Sequence, residues 1–287
     1  MIVREGRAAM ARTIMLHQLN ATGVGPVEFV RIAADAGCRR VTMFAYDGSD
    51  ILPRSNSGLS YPVPITAETK EDVRRALDET GVSLDGVEFF PLVADVDFER
   101  YRPALELGRE LGARRAVTHI FIEDDALVVD RLGALCELAT SIGIRMTSEF
   151  CPLTAGNPSL ERARWLVDQI GSDRFGIGVD VLHLIRSGGT PADVAALEER
   201  YFGVVQICDA IGAHASCDYI KDVHNREVPG EGDLPIRAFL NAVPAAMAIE
   251  AEVPAAHRRA AGISAAQHCR EVFAAASAIA ATLEPVS

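Results

Sequence analysis

SIGIRMTSEF, residues 141–150, decides the fold: a helical stretch closes on Gly143, and a strand of apolar and β-branched residues starts at the next position and runs to an acid, Glu149. Glycine just past a helix supplies the left-handed backbone that stops it. The same step recurs in ETGVSLDG (residues 79–86) and ELGARRAV (residues 110–117). Tight helix-to-strand steps of this kind are the returns of βαβ units, whose right-handed crossovers lay successive strands side by side in one parallel sheet.

Working outward, the alternation covers nearly the whole chain. Strand-like runs occupy residues 13–19, 39–45, 82–90, 115–121, 144–150, 174–180, 202–208 and 246–252. Between them lie stretches at helical period, among them PVEFVRIAADAG, TAETKEDVRRALDETG, RYRPALELGRELGA, DALVVDRLGALCELATSIG and SLERARWLVDQIG, several opening on Thr, Asp or Ser and closing on Gly. Eight such units close into a (β/α)8 TIM barrel, and 287 residues suit one barrel with modest extras. An open doubly wound sheet is the alternative, but no GxGxxG or GxxxxGK[ST] stands at any strand-to-helix turn. The expected organisation is a single domain over residues 12–287 behind a flexible leader, residues 1–11, with Met10 as an alternative start. Residues 46–65 and 209–233 form two connections longer than a normal βα loop, and loops of that length at strand ends usually cover a site.

Composition narrows the function. Hydrophobic residues make up 49% and charged residues 24%, so a sizeable core is available and disorder is excluded. A net charge of -12 opposes the positive field that a phosphate backbone requires, so no nucleic acid is expected as partner. No apolar run has the length of a membrane span and the first residues lack the apolar segment of a signal peptide, which predicts a soluble cytoplasmic protein with no membrane partner. Six cysteines, Cys38, Cys136, Cys151, Cys208, Cys217 and Cys269, show no CxxC spacing and are expected as buried free thiols.

In a barrel the chemistry sits where the strands end at their C-terminal side. The polar residues that close successive runs are Glu88, His119, Glu149, Asp180, Gln206 and Glu250, spaced by 26 to 44 residues, about one βα unit each. Four carboxylates around one mouth repel unless a cation or protons offset them, which points to a bound metal. The oxygen-rich donor set favours Mn²⁺ or Mg²⁺, with Zn²⁺ or Co²⁺ as the softer options. A divalent ion that polarises a carbonyl acidifies the neighbouring C–H, and a nearby carboxylate takes the proton, so enolisation is the natural reaction.

GVEFF, MTSEFCP, GVDVLHLIRSG, VVQICDA, REVPGEGDLPI and MAIEAE, in this order, resemble the xylose isomerase-like barrel superfamily, which includes sugar phosphate isomerases and epimerases and the endonuclease-IV-like enzymes. The resemblance implies one divalent metal held by Glu149, Asp180, Gln206 and Glu250. It implies Glu149 and Glu250 as the catalytic pair, one removing a proton and the other returning it. His183 and Arg226 would touch substrate oxygens, with Glu88, His119 and Asp209 as further pocket residues. Gln206 and Arg226 stand where the DNA-cleaving members carry additional metal-binding histidines, and Arg does not ligate metals, so an abasic-site endonuclease is disfavoured.

The reading that follows is a metal-dependent isomerase or epimerase acting on a sugar or sugar-like hydroxy-ketone through an enediolate. A dehydratase of the 3-dehydroshikimate type is the alternative, with Arg226, Lys221 or His224 pairing with a substrate carboxylate. A binding or accessory protein without catalysis comes third. Phe44, Phe89, Phe90, Phe150 and Trp165 suggest one apolar wall for a sugar face or a cyclic keto substrate, or else core packing. Glu231 to Asp233 are expected to open the seventh helix, and the Ala-rich final helix, residues 265–282, to pack on the barrel or against a second subunit as a homodimer.

Overall fold

The computed structural model describes residues 12–49, 51, 62–212 and 223–283, so the expected leader, Lys221 and Cys217 lie outside the described residues. All eight strands are present, each trimmed at one or both ends: β1 (Ile14–His17), β2 (Arg40–Phe44), β3 (Ser83–Glu88), β4 (Arg115–Thr118), β5 (Arg145–Glu149), β6 (Phe175–Asp180), β7 (Phe202–Ile207) and β8 (Ile249–Ala251). They run parallel in sequence order, and β8 closes on β1 to complete the barrel. Ten helices are described: α1 (Pro26–Asp35), α2 (Lys70–Thr80), α3 (Arg102–Glu110), α4 (Asp125–Ile142), α5 (Leu160–Ile170), α6 (Val181–Arg186), α7 (Pro191–Ala195), α8 (Ile236–Ala242), α9 (Ala256–Ala260) and α10 (Ala265–Ala280).

The glycine stops act as the sequence suggests. Gly81 and Gly143 end α2 and α4 in the left-handed region, φ 67° and 82°, and their amides return to the last helical turn. Asp124, Ser159 and Ser264 cap α4, α5 and α10 through their side chains. Between strands and helices lies a continuous apolar layer that includes Leu16, Val41, Val87, Met146, Ile177 and Val205. The final helix buries Cys269, Val272 and Ala276 and packs against α1 and β1. The described cysteines, Cys38, Cys136, Cys151, Cys208 and Cys269, are free and buried. No described helix is long and apolar enough to cross a membrane.

One boundary differs from expectation. Glu231 to Asp233 do not open the seventh-unit helix: α8 starts at Ile236, and these acids lie in the turn before it, where Asp233 Oδ2 accepts the Gly212 amide at 2.8 Å. Pro235 separates the turn from the helix, and an acid at a loop amide gains as much as one at a helix end.

Candidate active site

The strand ends bring the polar residues to one mouth, but at two depths. His17, Glu88, Glu149 and Asp180 are the last residues of their strands, whereas Gln206 and Glu250 stand one residue before the ends of β7 and β8. A cavity of about 290 Å³ opens over the barrel and is lined by Glu88, His119, Glu149, His183, Arg226 and Glu252. Its other walls are mostly apolar, with Leu19, Phe44, Phe89, Phe121 and Leu153 among them, and Thr22, Thr154, His224 and Arg259 join the lining.

Of the residues chosen from sequence, Glu88, His119, Glu149, His183 and Arg226 therefore face one cavity. Gln206 and Glu250 are fully buried beside one another, with Gln206 Nε2 donating to Glu250 Oε1 at 3.1 Å. The carboxylate at this end of β8 that lines the cavity is Glu252, which directly follows the strand, two residues beyond Glu250. Glu250 lies deeper in the barrel, where its Oε2 accepts from Arg115 Nη2 at 2.5 Å and from the Thr42 hydroxyl. Arg115 in turn holds Asp85 at 2.9 Å. Its side chain passes over Gly86 on the neighbouring strand, where a Cβ would stand 2.8 Å from the guanidinium carbon.

Asp209 is not among the residues that line this cavity. Its Oδ1 accepts the amides of Ala210 and Leu234, and its Oδ2 the amide of Gly230, at 2.8 to 3.0 Å. With those acceptors taken it fastens the long seventh loop. Of the aromatic candidates, Phe44 and Phe89 line the cavity while Phe90 and Phe150 are core. Trp165 lies on α5 under the guanidinium of Arg162.

Electrostatics separate the two carboxylates of the mouth. Glu149 Oε2 lies 3.5 Å from His183 Nε2 and 3.9 Å from His119 Nε2. Burial alone would raise its pKa, but these imidazoles with Arg226 hold it well below the usual carboxylate range. Glu252 receives Gln206 Nε2 at 2.6 Å and faces Arg226 at 3.1 Å. Burial, reinforced by Glu149 and Glu88, outweighs Arg226 and His17 and pushes it up to about 8. Burial lowers the pKa of His119, and burial with Arg226 lowers that of His224 to about 4. Gly178 of β6 makes room for Glu149, since a Cβ there would stand 2.8 Å from its Cγ.

Sequence reasoning missed Glu252, His17 and Arg115. The first two were legible as the last acid of MAIEAE and the histidine of TIMLHQL; a buried arginine near the start of a strand carries no such signal. His17 Nε2 lies 3.0 Å from Glu88 Oε2. His17, Glu88 and Glu250 each place a ligand atom within 4.8 Å of the other two, a group of the kind that can hold a divalent ion. Glu88 Oε1 and Gln206 Oε1 are buried without a hydrogen-bond partner among the described residues, which leaves two oxygens for an ion at that depth, whereas both oxygens of Glu250 already accept from Gln206, Arg115 and Thr42. Burial disfavours the imidazolium, but Glu88, Glu252 and Glu250 outweigh it and push His17 up to about 10. An ion held there would require the neutral imidazole and would take the place of that proton.

At the rim the fit is different: Asp180 Oδ1 accepts the amides of Leu182 and His183, and its Oδ2 accepts from Arg226 Nη1 at 2.8 Å. Of the four ligands expected from sequence, Asp180 and Glu250 thus have both oxygens engaged by protein donors, while Gln206 Oε1 stays unpartnered among the described residues. The xylose isomerase-like TIM barrel family model matches residues 30–271. The chain belongs to this family.

Solved structures of other proteins show a similar architecture at low identity. A xylose isomerase domain protein from Alicyclobacillus acidocaldarius subsp. acidocaldarius is 18% identical with TM-score 0.70, covering 94% of this chain and 98% of that one. The IOLI protein, solved with a bound zinc atom, is 12% identical with TM-score 0.77, covering 96% of this chain and all of that one (100%). D-psicose 3-epimerase from Clostridium cellulolyticum H10, solved with D-tagatose, is 12% identical with TM-score 0.68, covering 95% and 99%. At these identities the likeness is one of fold. No curated protein matches the sequence.

Proposed function

We propose that the chain is an isomerase or epimerase of a sugar or small hydroxy-ketone, moving a proton at the carbon beside a carbonyl. One observation carries this reading: Glu149, which ends strand five, and Glu252, which follows strand eight, face the same cavity, backed by imidazoles and a guanidinium and enclosed by mostly apolar walls. The family membership and the epimerase among the similar structures support it.

In this reading Glu149 removes the proton and Glu252 returns it on another face or carbon, so the roles expected of Glu149 and Glu250 pass to Glu149 and Glu252. Neighbours orient each carboxylate: His183 lies beside Glu149, and Gln206 and Arg226 hold Glu252. Donors aimed where the enolate oxygen develops charge are worth roughly 3 kcal/mol each, and His183 with His119 supplies them. The apolar walls exclude water that would otherwise quench the enediolate. A divalent ion, which His17 and Glu88 with Glu250 would hold, supplies polarisation of the substrate carbonyl; the oxygen-rich surroundings favour Mn²⁺ or Mg²⁺.

The test is hydrogen exchange. Chelator-stripped protein is incubated in deuterated water with a panel of ketoses and cyclic keto acids, with and without added Mn²⁺, Mg²⁺, Zn²⁺ or Co²⁺. Deuterium entering the carbon beside the carbonyl, restored by one of these ions, is expected; no exchange with any substrate and any ion discards the reading. The apolar wall of Phe44 and Phe89 also suits a cyclic keto acid. A dehydratase would begin with the same proton abstraction and then expel a hydroxyl, and the ultraviolet absorbance of an aromatic product identifies it in the same panel.

A further inference from the structure

At the rim of the barrel an arginine sits among carboxylates. The Arg226 side chain is fully buried, 1% exposed. Nη1 donates to Asp180 Oδ2 at 2.8 Å and to the Glu252 carbonyl at 3.1 Å, and Nη2 faces Glu252 Oε1 at 3.1 Å. Its backbone is anchored too, since the Arg226 amide donates to the Pro254 carbonyl at 2.9 Å and Asn225 bridges Ala255 in antiparallel fashion. A cation of this size with planar, directed donors leaves Asp180 with no free oxygen: one takes Arg226 and the other the amides of Leu182 and His183.

We infer that the Arg226 guanidinium is a tethered counter-ion occupying the place between Asp180 and Glu252, and that it shuts a divalent ion out of the rim cluster of Glu149, Asp180 and Glu252. The positive charge that carboxylates this close require is supplied here by a side chain. Burying a guanidinium with two carboxylates gives the cluster a permanent cation, because arginine stays charged under all working conditions. Breaking such a pair from one side leaves an uncompensated acid, and a divalent ion is the natural replacement for an absent guanidinium among carboxylate and imidazole donors. Arg226 is therefore a positioning residue that fixes Glu252 and decides which cation the rim accepts. The inference stands apart from the proposed reaction, since its readout is ion binding and not turnover.

The experiment counts ions. Chelator-stripped wild type, Arg226→Gln, Arg226→Lys and the Asp180→Asn/Arg226→Gln pair are dialysed against Zn²⁺ or Mn²⁺ and their metal content is measured. Circular dichroism on the same samples confirms that they are folded. Arg226→Gln is expected to hold about one further equivalent relative to wild type. Arg226→Lys, whose ammonium keeps the cation in place, should match wild type, and the pair should lose the added equivalent. Unchanged metal content in folded Arg226→Gln overturns the inference. If Arg226→Gln does not fold, Asp180→Asn alone decides: wild-type metal content supports the inference, and loss of metal shows that an ion sits on Asp180 and overturns it.

Discussion

Arg115 Nη2 lies 2.5 Å from Glu250 Oε2 inside the barrel, and both side chains are shut away from solvent. The contact links β4 to β8 across the interior, with Asp85 of β3 and Thr42 of β2 completing the set. Glu250, chosen from sequence as a catalytic acid, thus has a partner that needs it for stability. Replacing Arg115 by Met leaves that carboxylate buried with only hydroxyl and amide donors and is expected to cost about 3 kcal/mol. Urea unfolding measures the loss, and the Arg115→Met/Glu250→Gln pair should recover much of it. A single variant as stable as wild type would remove the contact from the scaffold.

Glu149→Gln and Glu252→Gln are each expected to lower substrate deuterium exchange by roughly 10²- to 10⁴-fold, the usual weight of a positioned acid or base. Far-ultraviolet circular dichroism should show the fold retained. Full exchange in either variant would break the assignment of the pair.

The Asp85 carboxyl contributes to the acid dependence of stability. Burial pushes its pKa up, but Arg115 and Arg40 outweigh burial and hold it below the ordinary value. A group depressed on folding contributes stability that is complete above its unfolded pKa, about 3.9, and is lost as pH falls through the lower folded value. The urea midpoint should therefore drop as pH is taken below about 5, and in Asp85→Asn the drop should be shallower. Parallel curves for the two proteins would show that Asp85 does not titrate on folding.

Gly178→Ala introduces a Cβ 2.8 Å from Glu149 Cγ, closer than real Cβ contacts come. Glu149 must move, so exchange should fall by about the loss seen on displacing a reactive group by 1 Å, roughly 10²-fold. Overpacking should cost about 1 to 3 kcal/mol, and thermal melting measures it. Wild-type exchange in this variant would show that the position of Glu149 is not critical.

The barrel was legible because several helix stops and strand starts carry a local signal: Gly81 and Gly143 end helices by a conformation that other residues resist, and the strands that follow start within two residues. Much of the cavity lining was legible for the same reason, since Glu88 and Glu149 end their strands and His119 follows the end of β4. Depth was not. In MAIEAE two glutamates stand two residues apart, and only the three-dimensional packing shows that Glu250 meets Arg115 while Glu252 meets the cavity. Nor does a linear reading pair charges across the barrel: Arg115 precedes Glu250 by 135 residues and Asp180 precedes Arg226 by 46. Asp209 looked like a site acid because it follows the seventh strand directly, and its oxygens prove to be spent on three loop amides.

That clasp has a use in engineering. The chain leaves the scaffold at Asp209 and returns to it at Glu227, where the two backbones exchange hydrogen bonds of 2.9 and 2.7 Å. A segment bounded by such a rivet can be exchanged for one of another length at a small entropic cost, since doubling a loop adds only about 0.6 kcal/mol. On the returning arm Val223 and His224 line the cavity, so substitutions at those two positions would retune what the pocket selects while the eight-stranded frame is left alone.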